Sequence, residues 1–543
     1  MKHIKKIFAL VLAVMMIAAM SVSAFAADGD VSLTVNGAVT GHTYSYWQLF
    51  TGDLSEGTLS NVKWGADVAS SIEYYEKANA DATTFTVKKT ISPTVGEPVP
   101  QAVLDYLASL TGKTDTNAAQ ATADIISAWV KGTGTAITNT TQVAKGYYVI
   151  KDAYTDSTAK QTTTLSTNIV AVVDATTITP KASTVESKKK VDDANDSDTT
   201  AEADNKTLQD SADHDIGDSI QYTLTFKLPS NYADYKHYYV KFTDTLTSGL
   251  TYNGDAKIFF GASDTTGANI NFGSGLNLAY EIMDLKSSSG SDAQKALAAN
   301  DVITIKYTCT LNENAVIGGS GNPNTYGVEY SSNPNNTGDG ISKPDTSKTP
   351  DDTVIVFTYK TVFSKVDENG QALAGADFTL NKWVNGAWVN VTALHTAAGS
   401  KNPSKTSTKS SVTLTSADTF TFAGLDDGKY QLVESTTPAG YNTMEPLVFW
   451  IVAEHTAEDD SPSASTLTTF KIMNEDKSKQ IDGTNMTFTA TKSDGTAAAN
   501  IVNNSGATLP STGGIGTTIF YVTGAVLALG AGILLITKRR MNR

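Results

Sequence analysis

Between residues 28 and 506 the chain alternates apolar and polar positions in short runs, separated by stretches rich in Gly, Asn, Asp and Ser. That period of two predicts strands with one buried face. The clearest runs are Ile220/Tyr222/Leu224/Phe226, Tyr238/Val240/Phe242 and Ile303/Ile305/Tyr307/Cys309/Leu311. Further strands are predicted at Val354 to Phe357, Phe378 to Leu380, Tyr430 to Val433, Leu447 to Val452, Leu467 to Ile472 and Met486 to Ala490. The first stretch mixes strands (Val31 to Val35, Tyr147 to Ile150, Asn168 to Val173) with helical spacing at Gln101 to Leu110 and Ala121 to Val130. The expected fold is mainly β: tandem β-sandwiches at 181–347 and 353–506 behind a decorated N-terminal α+β or β domain at 27–180. Asn335 to Asp352, rich in Gly, Pro, Ser, Thr and Asp, reads as the join between the two sandwiches. No period of 20–50 residues recurs, which leaves a solenoid without support.

Both ends break this pattern. Residues 1–26 place Lys2, Lys5 and Lys6 before an apolar run and end on Ala24-Phe25-Ala26, the layout of a cleaved secretory signal. At 509–543, Leu509-Pro510-Ser511-Thr512-Gly513 precedes an apolar run from Ile519 to Ile536 and the basic Lys538-Arg539-Arg540. The run is long enough to span a bilayer, and the basic tail would stay on the cytoplasmic side. This arrangement resembles the cell-wall sorting signal of Gram-positive surface proteins. The resemblance implies cleavage by a sortase between Thr512 and Gly513, with Thr512 as acyl donor, and a secreted protein anchored to the cell wall.

Charge narrows the function classes. The 543 residues hold 41 Lys and Arg against 56 Asp and Glu, for a net −15. Removing both end segments takes away only basic residues, so the exported product is more acidic still, and nucleic acid is not expected as a partner. The single cysteine, Cys309, allows no disulfide within the chain and reads as a small buried hydrophobe on a strand. The six histidines and one cysteine show no metal-ligand spacing and no triad, so no metal, no other cofactor and no enzymatic activity are expected. The Asp/Asn spacing of the acidic stretch from Asp192 to Asp215 hints at calcium, but the stretch lacks the glycine and glutamate placement of an EF-hand, so a solvated loop is the favoured reading.

Candidate chemistry lies inside the sandwiches. Strand alternation puts Lys365 on the face of Phe363, and Glu434 follows Tyr430 and Leu432. Asn503 sits near the end of the same block, with Asn474 as the alternative carboxamide. Burial drives a lysine toward its neutral, nucleophilic amine and a carboxyl toward its neutral acid. With an asparagine, these are the groups needed to form a Lys–Asn amide with loss of ammonia. Lys365-Val366-Asp367 and the run from Tyr430 through Glu434, Pro438, Gly440 and Tyr441 resemble the Cna B-type domains of Gram-positive pilins and adhesins. That resemblance implies immunoglobulin-like (Cna-type) sandwiches, a Lys365–Asn503 isopeptide bond and Glu434 as its acid. In the middle block, parity with Val185 and Val191 favours Lys189 among Lys188, Lys189 and Lys190. Asp244, in Phe242-Thr243-Asp244-Thr245-Leu246, and Asn324, in Asn322-Pro323-Asn324-Thr325, resemble the acid and the bond-forming Asn of a backbone pilin's middle domain.

The first block ends Thr179-Pro180-Lys181, where proline keeps the chain extended at the boundary. The position resembles the lysine that links pilin subunits. As a whole the chain resembles a sortase-assembled major (backbone) pilin, the shaft subunit of a fimbria. The resemblance implies as partners a pilus-specific sortase, a housekeeping sortase, further copies of the chain, accessory pilins and peptidoglycan, with contact to a host surface or matrix. A monomeric wall-anchored adhesin, or a tip or base pilin, is the alternative.

Overall fold

The computed structural model describes residues 29–55, 58–111, 125–180, 182–193, 197, 207–391, 411–413, 419–456, 466–483, 486–506 and 515–541. The signal-like segment to Asp28, Lys181 and the stretch Leu509 to Gly513 lie outside the described residues.

The first block joins a five-stranded sheet, centred on His42–Ser55 and Gly146–Tyr154, to a three-stranded sheet in which Val31–Val35 pairs in parallel with Thr176–Ile178. A two-stranded hairpin and the helix Gln101–Thr111 decorate it. The helix contributes Val103, Tyr106 and Leu107 to a core shared with Trp64, Trp129 and Ile72, as its three-to-four spacing requires. Of the second expected helix, only residues 125–127 are described as helical.

The middle sandwich stacks two seven-stranded sheets. Strand Ser219–Lys227 buries Ile220, Tyr222, Leu224 and Phe226 and pairs antiparallel with Val302–Leu311, whose Ile303, Ile305, Tyr307 and Cys309 join the same core. Cys309 is buried and free. The opposite sheet is built on Val240–Leu246, Asn322–Ser331 and Asp352–Phe357.

The last of these strands corrects a boundary. The sequence places Val354 to Phe357 at the opening of the third block, from residue 353, yet this strand pairs with residues 322–326, and Val354 and Val356 lie in the middle core. The third block therefore starts near Thr358. The expected join at 335–352 also contributes to the middle sandwich: Thr346–Lys348 pairs with Glu329, Tyr330 and Ser331, and the Lys348 carbonyl accepts from the Gln161 N–H of the first block.

The C-terminal sandwich faces a five-stranded sheet against a six-stranded one. Strands Tyr359–Asp367 and Thr496–Asn503 are parallel neighbours, with Lys365 beside Ile501 and Asp367 beside Asn503. Phe363, Phe420, Phe449 and Phe488 fill the interior in tilted and edge-on contacts.

The two sandwiches dock closely. Main-chain bonds run from Ile216 N to Gly424 O, from Gly318 N to Thr358 O and from Gly319 N to Ser493 O. Asp192, Asp210, Asp213 and Asp215 are buried, so the described ends of the acidic stretch are not the solvated loop expected. Each has a partner: Asp192 accepts from Gln221 N, Asp210 pairs with Lys190, Asp213 accepts from the Tyr359 hydroxyl, and Lys382 Nζ on the next sandwich donates to Asp215 Oδ2 at 2.7 Å and to Asp426 Oδ2 at 3.0 Å. Farther along, the helix Ile515–Met541 is long and apolar enough to cross a membrane and carries Lys538, Arg539 and Arg540 in its last turn.

Candidate functional site: two buried clusters of lysine, carboxyl and carboxamide

In the middle sandwich the lysine and the acid come from opposite sheets. Of the three consecutive lysines on Glu186–Asp193, Lys188 pairs with exposed Glu186 and Lys190 with Asp210, while Lys189 is fully buried. Its Nζ donates to Asp244 Oδ2 and, at 3.0 Å, to the Tyr307 hydroxyl. The Tyr307 hydroxyl in turn donates to Asp244 Oδ1 at 3.0 Å and accepts from Asn324 Nδ2 at 2.8 Å. Asp244 and Asn324 share a face of one sheet, since Asn324 stands opposite Leu246, two residues past Asp244. The Lys189 N–H is fixed by Asp352 Oδ2 at 2.7 Å.

Burial dominates the electrostatics here. It lowers the Lys189 pKa against the pull of Asp244, and it raises that of Asp244 against the pull of Lys189 and Tyr307. Both shifts favour the neutral amine beside the neutral acid. Sequence reasoning misses Tyr307, which connects all three groups. Its one signal is a hydroxyl-bearing residue at an interior position of the Val302–Leu311 alternation.

In the C-terminal sandwich the groups are divided differently. Lys365 and Asn503 lie on the parallel neighbours of one sheet, and Glu434 reaches Asn503, but not the Lys365 amine, from Gly428–Thr436 in the other. All three are buried. Asn503 Nδ2 lies 2.7 Å from Glu434 Oε1, whose Oε2 accepts from Met444 N at 2.8 Å and from Thr437 Oγ1 at 3.3 Å. Lys365 Nζ donates to the carbonyls of Val366 and Ile501 at 3.1 and 3.2 Å. Burial pushes the Lys365 amine down to about 8, with Glu434 and Asp367 opposing the shift. Asn474 is elsewhere, in an exposed turn where it bonds Ser478 Oγ and Lys479 N.

In both clusters the amide oxygen of the asparagine, Oδ1 of Asn324 and of Asn503, is buried without a hydrogen-bond partner among the described residues. An unpaired buried oxygen of this kind is costly. In the first block, by contrast, Lys151 donates to the Ser127 carbonyl and lies over the Trp47 ring. The linkage residues Lys181 and Thr512, with Leu509, Pro510, Ser511 and Gly513, fall outside the described residues.

Comparison with known proteins agrees with this architecture. Residues 360–461 match a family described as a prealbumin-like fold domain (SpaA), and residues 501–543 match the LPXTG cell wall anchor motif. A curated relative, the trypsin-resistant surface T6 protein of Streptococcus pyogenes serotype M6, is 28% identical over 381 residues. That match covers 60% of this chain and 65% of the relative, just under two thirds of its length. The structure of the T6 backbone pilin of serotype M6 Streptococcus pyogenes, described as a modular three-domain structure, superposes with a TM-score of 0.50 at 16% identity, covering 89% of this chain and 100% of that one. The full-length major pilin SpaD of Corynebacterium diphtheriae gives a TM-score of 0.43 at 18% identity, covering 90% and 99%. By fold, then, this chain is a modular, mainly β protein similar to the T6 backbone pilin, with a prealbumin-like domain and a match to the LPXTG cell wall anchor motif.

Proposed function

We propose that the chain is the structural shaft subunit of a covalently polymerised Gram-positive pilus, stabilised by one Lys–Asn isopeptide bond in each sandwich. The observation that carries this reading is the occurrence of two separate buried sets, Lys189/Asp244/Asn324 and Lys365/Glu434/Asn503, in consecutive domains. A single buried lysine has bland explanations; two with matching acid and carboxamide do not.

The chemistry follows from the environment. The neutral lysine amine attacks the Asn side-chain carbonyl carbon, while the protonated acid donates to Oδ1 as negative charge develops there. In Asn503 this requires the amide to turn its oxygen toward Glu434, an exchange of two nearly isosteric ends. The amine's proton passes by way of the carboxyl to the departing nitrogen. A C–N bond to lysine forms, the C–NH2 bond breaks and ammonia leaves. Each site reacts once, so Asp244 and Glu434 act as autocatalytic acids without turnover, and the chain is a sortase substrate, not an enzyme.

Subunit joining uses the two linkage residues. A pilus-specific sortase cleaves between Thr512 and Gly513 and holds Thr512 as a thioester, which the amine of Lys181 of the next copy resolves to an amide. A heterologous contact of this kind does not close, so it grows as a filament. A housekeeping sortase would transfer the finished fibre to peptidoglycan, and accessory pilins would add adhesion. The similarity to the T6 proteins supports the reading, as does the anchor match around Thr512.

The test is an immunoblot of boiled, detergent-treated wall extracts from cells carrying the wild type or Lys181→Ala. A high-mass ladder that collapses to anchored monomer in the variant supports the shaft reading. A single anchored band in both strains overturns it and favours a monomeric adhesin.

A further inference from the structure

We propose that the junction of the middle and C-terminal sandwiches is a binding site for a divalent transition-metal ion of the zinc class, held by Asp193, Asp213 and His455. The three residues end three different strands, Glu186–Asp193, Ser211–Asp213 and Leu447–His455, so the site exists only where the two sandwiches meet. One ligand atom from each lies within 4.8 Å of the others.

What sets this group apart from an ordinary ion pair is that one imidazole nitrogen stands equally far from two carboxylates. His455 Nε2 stands 3.8 Å from Asp193 Oδ2 and 3.8 Å from Asp213 Oδ1. Among the described residues, His42 with Asp152 and His237 with Asp284 are in contact at 2.7 Å, and His214 Nδ1 stands 3.7 Å from the single carboxylate of Asp218. A gap of 3.8 Å is too long for a hydrogen bond, and too short for a bridging water, which holds its partners roughly 4.5–5.5 Å apart. Ligands at about 2.0–2.2 Å from a tetrahedral metal stand about 3.3–3.6 Å apart, close to the spacing found.

The surroundings fix each ligand in a binding form. The Ser211 hydroxyl gives its one proton to the Thr456 carbonyl, so it accepts at 2.8 Å from His455 Nδ1–H. That places the imidazole lone pair on Nε2, facing the carboxylates. Gln209 Nε2 donates to Asp193 Oδ2 at 2.7 Å, and the Tyr359 hydroxyl donates to Asp213 Oδ2 at 3.0 Å, leaving Asp213 Oδ1 for the ion. Outer-shell donors of this kind are what orient metal ligands. The imidazole argues against calcium, which takes oxygen ligands, and for a borderline ion that accepts both nitrogen and carboxylate. Asp193 is the least buried of the three side chains, at 23% exposure.

The test uses the full untagged chain in detergent, stripped with a chelator and titrated calorimetrically with zinc chloride and, separately, calcium chloride. Expected are one saturable zinc site, no matching calcium site and a rise in the unfolding temperature with zinc. His455→Ala should abolish the site, and Gln209→Leu, which only orients Asp193, should weaken zinc binding about 10–100-fold. Circular dichroism checks the fold; if His455→Ala is misfolded, the Gln209→Leu titration decides. Absence of a saturable zinc site in the wild type, or undiminished zinc affinity in folded variants, overturns the proposal.

Discussion

Asn503 and Glu434 meet across the interior of the C-terminal sandwich, amide nitrogen to carboxyl oxygen at 2.7 Å, on strands of opposite sheets. If that contact is the reactive one, Glu434→Gln keeps the shape but removes the group that relays the proton. The mature wild type should weigh two ammonias less than its sequence, and Glu434→Gln or Asp244→Asn should each restore one. Loss of a cross-link closing a loop of this length should cost about 4–5 kcal/mol of unfolding free energy. Intact-mass spectrometry with thermal unfolding checks both; a wild-type mass equal to the sequence mass sinks the bond assignment.

Lys365 gives the pH dependence. Its amine is held near 8 in the folded chain against an ordinary 10.5, so between those values the unfolded state binds more protons. Asn503→Ala, which leaves the amine free, should therefore gain stability as pH rises from about 8 to 10.5 and be flat in this respect below 8. In the bonded wild type the titrating group has been consumed and this rise should be missing. Denaturant midpoints across the range separate the two cases.

Lys382 holds two buried carboxylates, Asp215 and Asp426, one from each sandwich. Lys382→Met should cost about 3–5 kcal/mol, because it strands charge in a low-dielectric junction. Lys88→Met, which breaks the exposed pair with Glu73, should change stability by less than about 1 kcal/mol. Urea unfolding of both variants tests the contrast, and equal losses would refute it.

Gly318 docks the sandwiches by close main-chain approach. It sits at φ +100°, and a Cβ there would fall 2.3 Å from the Asp494 carbonyl carbon. Gly318→Ala should therefore push Asp494 away and expose the junction to limited proteolysis. Gly370→Ala, also at positive φ but with open space around it, should carry only the conformational cost of about 1–2 kcal/mol and leave the junction protected.

Much of this arrangement is legible locally. The parity that buries Ile220 through Phe226 also buries Lys189 between Val185 and Val191, because a strand repeats every second residue. Lys365 and Glu434 are marked the same way, as ionisable residues at apolar positions. What local pattern does not encode is adjacency. Tyr307 bridges Lys189, Asp244 and Asn324 only because its strand lies two places from that of Lys189 in the sheet. The 352–357 strand is apolar enough to serve either sandwich, and pairing with 322–326 decides which. The acidic stretch looks solvated until Lys382 and His455, far along the chain, are brought against its ends.

The parallel pairing of Tyr359–Asp367 with Thr496–Asn503 has a mechanical side. The chain enters the C-terminal sandwich at one end of this pair and leaves at the other, so in a chain whose proposed Lys365–Asn503 bond has not formed, tension drags the two strands past each other lengthwise. The registered pairs from Lys360 with Thr496 to Asp367 with Asn503 then share the load at once, in shear, and do not unzip one by one.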